Sequence, residues 1–262
     1  DFFICEIDPA GRLVTQALAR KARDGVKVRL LVDFSLPVFK LAPHYAAQLQ
    51  AAGVEVRYYN TAGLARFFAS NHRTHRKLLV VDRQKAIVGG RNIGNDYFDL
   101  STHYNFLDSD LLIQGPIAAA IVDSFELYWA SDWVTEPKDI AVDETDAPRI
   151  NLLGNRTVAE ERISADLRQH AAAPRFSTCR DTHFVTDYPG SGVERRKVYT
   201  AIAALVQEAK QHIVVESPYL VLRDDGVALM QGVLQRGVKL QFLTNTLRST
   251  DAFYAVASLA DS

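Results

Sequence analysis

The sequence predicts an α/β fold of two similar lobes, the second incomplete in this chain, and three observations lead to it. Helical periodicity alternates with short β-branched runs. A glycine closes each helix just before the next strand. The helix–glycine–strand unit then returns in the second half, where "QRGVKLQFLTN" sits 212 residues after "RDGVKVRLLVD", an offset that suggests duplication of one unit.

The elements follow in order. "DFFICEID" at the start reads as a strand. Leu13, Val14, Ala17, Leu18 and Ala22 recur at helical spacing with Gln16, Arg20 and Arg23 opposite; Gly25 stops this helix and "VKVRLLV" is a buried strand. Residues 43–52 repeat the helix, Gly53 ends it, and "VEVRYYN" is the next strand. "HRKLLVVD" from His75 predicts a strand, "DRQK" a turn and "AIV" a returning strand. "DSDLLIQGP" is a further strand, followed by the helix "IAAAIVDSFELYWASDW" with Pro116 in its first turn. In that helix Phe125, Tyr128 and Trp129 share a face and read as core. The expected divisions are a first lobe over 1–133, a polar connection over 134–190 with a helix near 158–172, and the start of a second lobe over 191–262.

Bulk properties narrow the function. With 30 basic and 31 acidic residues the net charge is -1, so no overall field steers a polyanion and any phosphate contact must come from a local patch. Cys5 and Cys179 are too few and too far apart for a disulfide framework and read as free thiols. No apolar run approaches the roughly 20 residues of a spanning helix; "PIAAAIV" ends at Asp123. The chain opens on a strand without an initiating Met, and a repeat of the His75 segment at the same offset would fall near position 287, so both ends are expected to be cut.

"NHRTHRKLLVVDRQKAIVGGRN", residues 71–92, carries the chemistry. Strand alternation puts His75 and Lys77 on one face, with Arg76 and Asp82 on the other. An imidazole beside an ammonium suits attack on a phosphate ester: the histidine is nucleophile or base, and the lysine neutralises phosphoryl oxygens and keeps the imidazole unprotonated. Gly89 and Gly90 permit close backbone approach, or simply close a hairpin, and Asn92 offers a side-chain amide to a ligand or to a turn. Arg73 and Arg76 read equally as a solvated or ion-paired basic face and as phosphate or headgroup contacts, and Arg91 joins them as a candidate. His72 and His75 invite a zinc reading, but three residues apart on a strand they face opposite ways, and no further ligand follows at suitable spacing.

His-x-Lys-x4-Asp followed by Gly-Gly-x-Asn resembles the signature of the phospholipase D superfamily. "GGRNIG", "IGNDYFD", "FLDSDLLIQGP" and "FELYW" look like its bacterial cardiolipin synthase branch, and "DPAGRL", "ESPYLVLRDDG" and "LTNTLRSTDA" extend the likeness along the chain. The resemblance implies duplicated α-β-α sandwich lobes whose two motifs meet at one centre. One histidine forms a phosphohistidine and the other protonates the leaving alcohol. His75 matches one of the pair, Lys77 and Asn92 match phosphate ligands, and Asp108 matches an acidic residue that hydrogen-bonds the histidine, though it reads equally as a strand-end cap. Asp82, Gly89 and Gly90 take structural parts.

No metal or cofactor is expected, because the paired lysines supply the positive charge. Only one such motif is present, so the second half is expected beyond Ser262 or, less favoured, from a second copy of the chain. This chain alone should be inactive or nearly so. The implied function is phosphatidyl transfer on a phospholipid such as phosphatidylglycerol, in a bacterial protein peripheral to the inner membrane or cytoplasmic. A phosphodiesterase acting on nucleic acid, which the near-neutral charge disfavours, and an inactive fragment that binds phosphate-containing ligands are the alternatives.

Overall fold

The computed structural model describes residues 1–34, 41–61, 72–140, 150–170, 175–190, 196–246 and 248–250. The polar run "DETDAP", Asn71 and the last two residues of the helix expected over 158–172 lie outside them.

The first helix, α1 (Pro9–Arg23), starts where Asp8 accepts from Gly11 N at 2.9 Å with Pro9 at its first position. It ends before Gly25, whose φ of 87° is the left-handed conformation that L side chains resist. The chain then enters β1 (Val28–Asp33), returns through α2 (Pro43–Ala51), and pairs β2 (Val54–Tyr59) parallel to β1 in the register Val28↔Val54 to Asp33↔Tyr59. A hairpin of β3 (Leu78–Val81) and β4 (Lys85–Gly89) is joined by antiparallel β5 (Asp110–Gln114), and α3 (Ile117–Trp129) follows. The two-residue β6 (Val134–Thr135) adds antiparallel to β2.

Residues 1–6 link the two sheets. Asp33 N donates to Phe2 O at 3.1 Å on one side, and Leu78 N donates to Asp1 O at 2.9 Å on the other. Farther along, Ile93 N donates to Ile4 O at 3.2 Å. The segment expected as a strand is therefore extended, but it forms only the isolated bridges Phe2↔Val32 and Cys5↔Ile93, because its partner changes from β1 to the chain beyond β4.

Alternation along β1 produces the layers. Leu30 and Val32 join Val54, Val56 and Tyr58 against α1 and α2, while Leu31 and Tyr59 turn to the other face and pack with Ile121, Phe125 and Tyr128 of α3. The result is an α-β-α sandwich. Phe125, Tyr128 and Trp129 are buried, as their spacing predicts. Burial of each large apolar side chain stabilises by about 1.5–3 kcal/mol.

The chain divides into two compact units, one of residues 1–184 and 188–191, the other of 185–187 and 192 onward. The stretch from 134 to 184 thus belongs to the first unit rather than standing as a connection. Its β6 lies on β2, Leu152 is fully buried in the first core, and Glu160 of α4 (Val158–His170) pairs with Arg12 of α1 at 3.1 Å. Polar composition hid this because a few anchors, not a continuous apolar face, hold it. Within the second unit, α5 (Lys197–Glu208), β7 (His212–Glu216), α6 (Asp224–Gln235) and β8 (Lys239–Leu243) surround a small core of Val206, Val233 and Val238. Its strands pair parallel, and Gly237 ends α6 at φ 79°, as Gly25 ends α1.

Candidate active site

The segment that carries His75 and Lys77 enters at the carboxyl end of β1, the end at which α/β sheets gather their ligands. Thr74 N donates to Asp33 Oδ2 at 2.8 Å, and the segment then runs into β3. The strand starts at Leu78, three residues later than the sequence suggests, since Leu78 pairs with Val88 and with Asp1 while Lys77 keeps one long bond, from Gly89 N at 3.3 Å.

His75 and Lys77 nevertheless meet as alternation requires. Lys77 Nζ is 3.0 Å from His75 Nδ1 and donates to the His75 carbonyl at 2.8 Å. The Phe3 ring packs on the imidazole with centroids 4.7 Å apart and lies 5.4 Å from Lys77 Nζ. Burial, and then the Lys77 charge, lower the His75 pKa to about 4. His75 still keeps surface open to solvent, so reagents can reach it. Burial also lowers the Lys77 pKa to about 8, opposed by the carboxylates of Asp108 and Asp33. At neutral pH the pair is a neutral imidazole beside a cation.

The glycines act by omission of a side chain. A Cβ on Gly89 would overlap Asp110 Oδ1, and one on Gly90 would overlap Asp108 Oδ1, so Gly-Gly admits two carboxylates against the end of β4. The Asp108 carboxyl is raised above its ordinary pKa by burial, against the opposing charges of Arg91 and Lys77. It is not a hydrogen-bond partner of His75 here, whose Nδ1 faces Lys77 instead. Asp82 lies in the β3–β4 turn at φ 52°, away from the pair.

Residues 2–129 match the family described as cardiolipin synthase, PLD-like domain. Residues 2–129 thus form a phospholipase D-like domain. Cardiolipin synthase C of Escherichia coli is 27% identical over 288 residues, covering 99% of this chain and 59% of the relative. Cardiolipin synthase A of Pseudomonas putida is 37% identical over 134 residues, 50% of this chain and 28% of the relative. The chain thus spans well under two thirds of these relatives. Phosphatidylserine synthase of Haemophilus influenzae shares the fold, with a TM-score of 0.63 at 18% identity over 98% of this chain and 59% of that one.

Several candidate ligands of this phospholipase D-like site are occupied by protein partners. Asn92, buried beyond β4, accepts from Ile4 N at 3.0 Å and donates to the Tyr97 hydroxyl at 2.9 Å, so it ties the linking segment to the chain after β4. Arg91 is held by Asp110 at 2.7 Å, the Asp108 carbonyl at 3.0 Å and the Tyr97 carbonyl. Arg76 stacks 3.9 Å from the Tyr128 centroid and bonds Ser124 Oγ at 2.8 Å. Arg73 binds Asp33 Oδ1 at 3.1 Å and the Phe34 carbonyl at 2.9 Å. All three arginines are thus engaged by carboxylates, carbonyls or an aromatic face of the protein, the ion-paired alternative that the sequence left open for Arg73 and Arg76.

Sequence reasoning missed Phe3 and Asp33. A lone carboxylate closing the buried run "VRLLVD" was the available signal for Asp33, whereas nothing local marks Phe3. Among the described residues no cluster of three or more His, Cys, Asp or Glu is placed to hold a metal, and no helix is long and apolar enough to cross a membrane. Cys5 is buried with its thiol pushed up to about 12, which keeps it unreactive.

Proposed function

We propose that this chain supplies the nucleophilic half of a phosphatidyl-transfer centre acting on phospholipid phosphodiesters. The observation that carries the reading is the His75–Lys77 contact: an imidazole held neutral by burial and by the adjacent ammonium is a nucleophile at pH 7, whereas an acid of such low pKa would already have lost its proton.

A His75 nitrogen lone pair attacks phosphorus, the bond from phosphorus to the leaving alcohol breaks, and that alcohol takes a proton from a second histidine. An incoming alcohol then attacks the phosphohistidine and returns its proton to the second histidine, restoring both. With Lys77 charged, Nδ1 is an acceptor and the imidazole hydrogen sits on Nε2. A phosphate entering the site draws Lys77 Nζ onto its oxygens, and the released Nδ1 takes the hydrogen and donates it to Asp108, leaving Nε2 free to attack. The cardiolipin synthase relatives favour a glycerol hydroxyl as acceptor and a phosphatidylglycerol donor, with the protein at a membrane surface.

The test is rapid quenching of the protein in alkaline denaturant after incubation with phosphatidylglycerol labelled at phosphorus. An acid-labile protein-bound label that disappears in His75→Ala is expected; the same label in His75→Ala removes His75 as nucleophile.

A further inference from the structure

Asp33 takes no part in the reaction above, yet it organises the chain that carries His75. The carboxylate is 1% exposed at the end of β1, with Oδ2 on Thr74 N at 2.8 Å and Oδ1 on Arg73 Nη1 at 3.1 Å. The same guanidinium nitrogen reaches the Asn60 carbonyl at 3.3 Å, and Asn60 Nδ2 donates to the His72 carbonyl at 2.8 Å. Residues 72, 73 and 74 are therefore each fixed, one after another, to the ends of β1 and β2 just before His75.

We infer that Asp33 is a positioning residue, which clamps Thr74 and Arg73 so that His75 and Lys77 are presented to phosphorus in one orientation. A neutral acceptor would satisfy Thr74 N without the cost of burying a charge. The charge is accounted for by what faces it: Arg73 and Lys77 from the catalytic segment, and Tyr59, its registered neighbour on β2. Asp33 thus helps Lys77 keep its proton against burial. Burial in turn raises the Asp33 pKa to about 6, so acid neutralises the clamp while His75 is still unprotonated.

The kinetic consequence rests on the phosphatidyl-transfer reading, whereas the clamp itself is measured without activity. In Asp33→Ala, amide hydrogen exchange at Thr74 should quicken by about tenfold or more, the worth of one hydrogen bond. In the isosteric Asp33→Asn, carbon NMR of lysine should show the Lys77 titration midpoint displaced below its wild-type position. Unchanged exchange at Thr74, or an unmoved Lys77 midpoint, overturns the inference. Turnover of phosphatidylglycerol should fall in kcat by roughly 100-fold in Asp33→Ala with KM little altered. The acid limb near pH 6 should vanish in Asp33→Asn. A wild-type kcat in Asp33→Ala, or losses that only track the unfolded fraction, also overturn it. Altered exchange and titration in a protein that transfers no phosphatidyl group would uphold the clamp and defeat the proposed activity instead.

Discussion

Lys77 Nζ donates to the carbonyl oxygen of His75 at 2.8 Å and stands 3.0 Å from Nδ1 of the same residue, so the ammonium is folded back on the imidazole it serves. Two consequences are joined in this contact. Burial and this charge leave His75 protonated only at low pH, and a ligand that attracts Lys77 changes which imidazole nitrogen carries hydrogen.

The pH dependence follows with a definite sign. Transfer should fall above about pH 8 as Lys77 loses its proton, with no limb from His75 until about pH 4. Because the His75 pKa is depressed in the fold, its contribution to stability is complete above 6.5 and is lost as pH falls through about 4. Asp33 runs the other way: its contribution is complete below 3.8 and is lost as pH rises through about 6. Urea titrations of wild type, His75→Ala and Asp33→Asn between pH 4 and 7 would separate the two slopes. Equal slopes in all three proteins contradict both assignments.

Gly90→Ala places a methyl group on Asp108 Oδ1. Overpacking of this kind costs about 1–3 kcal/mol. Transfer should drop further than stability accounts for, because the displaced carboxylate is the one proposed to receive the Nδ1 hydrogen. Thermal melting beside turnover decides it; a fully active Gly90→Ala would exclude that role for Asp108.

Asn92→Ala removes the acceptor of the Ile4 amide and a donor to the Tyr97 hydroxyl. Each such loss costs about 1–3 kcal/mol, so equilibrium unfolding should show a destabilisation of roughly 2–4 kcal/mol. A variant as stable as wild type but unable to bind inorganic phosphate would restore Asn92 as a ligand.

Arg76→Ala should lower stability by about 1–3 kcal/mol through lost stacking on Tyr128 and an unpaired Ser124 hydroxyl, and leave KM for phospholipid near the wild-type value. Parallel melting and KM measurements check this, and a large rise in KM at unchanged melting would return Arg76 to the headgroup.

The parts of this site legible in the sequence were those set by local geometry. Period-two alternation brought His75 to Lys77, and helix–glycine–strand spacing gave α1, β1, α6 and β8. Alternation says which way a side chain leaves a strand but not what waits there. Arg76 meets Ser124, Asn92 meets Ile4, and Arg73 meets Asp33, each pair far apart along the chain. Spacing along the chain therefore left these residues open between ligand and structural parts. Asp33 escaped notice because a carboxylate ending a buried strand is more often a cap than an anchor for another segment.

The linking segment, residues 1–6, also sets the order in which the molecule can be finished during synthesis. The Asp1 nitrogen is satisfied by Leu78, 77 residues later, and the Ile4 nitrogen by Asn92, 88 residues on. At ribosomal speeds of about 5–20 residues per second, the two ends of that span emerge roughly 4–18 seconds apart. Through that interval the nascent chain has β1 and β2 but no partner for one edge of the segment. Residues 72–77 are therefore seated late, once β3 and the chain after β4 have emerged.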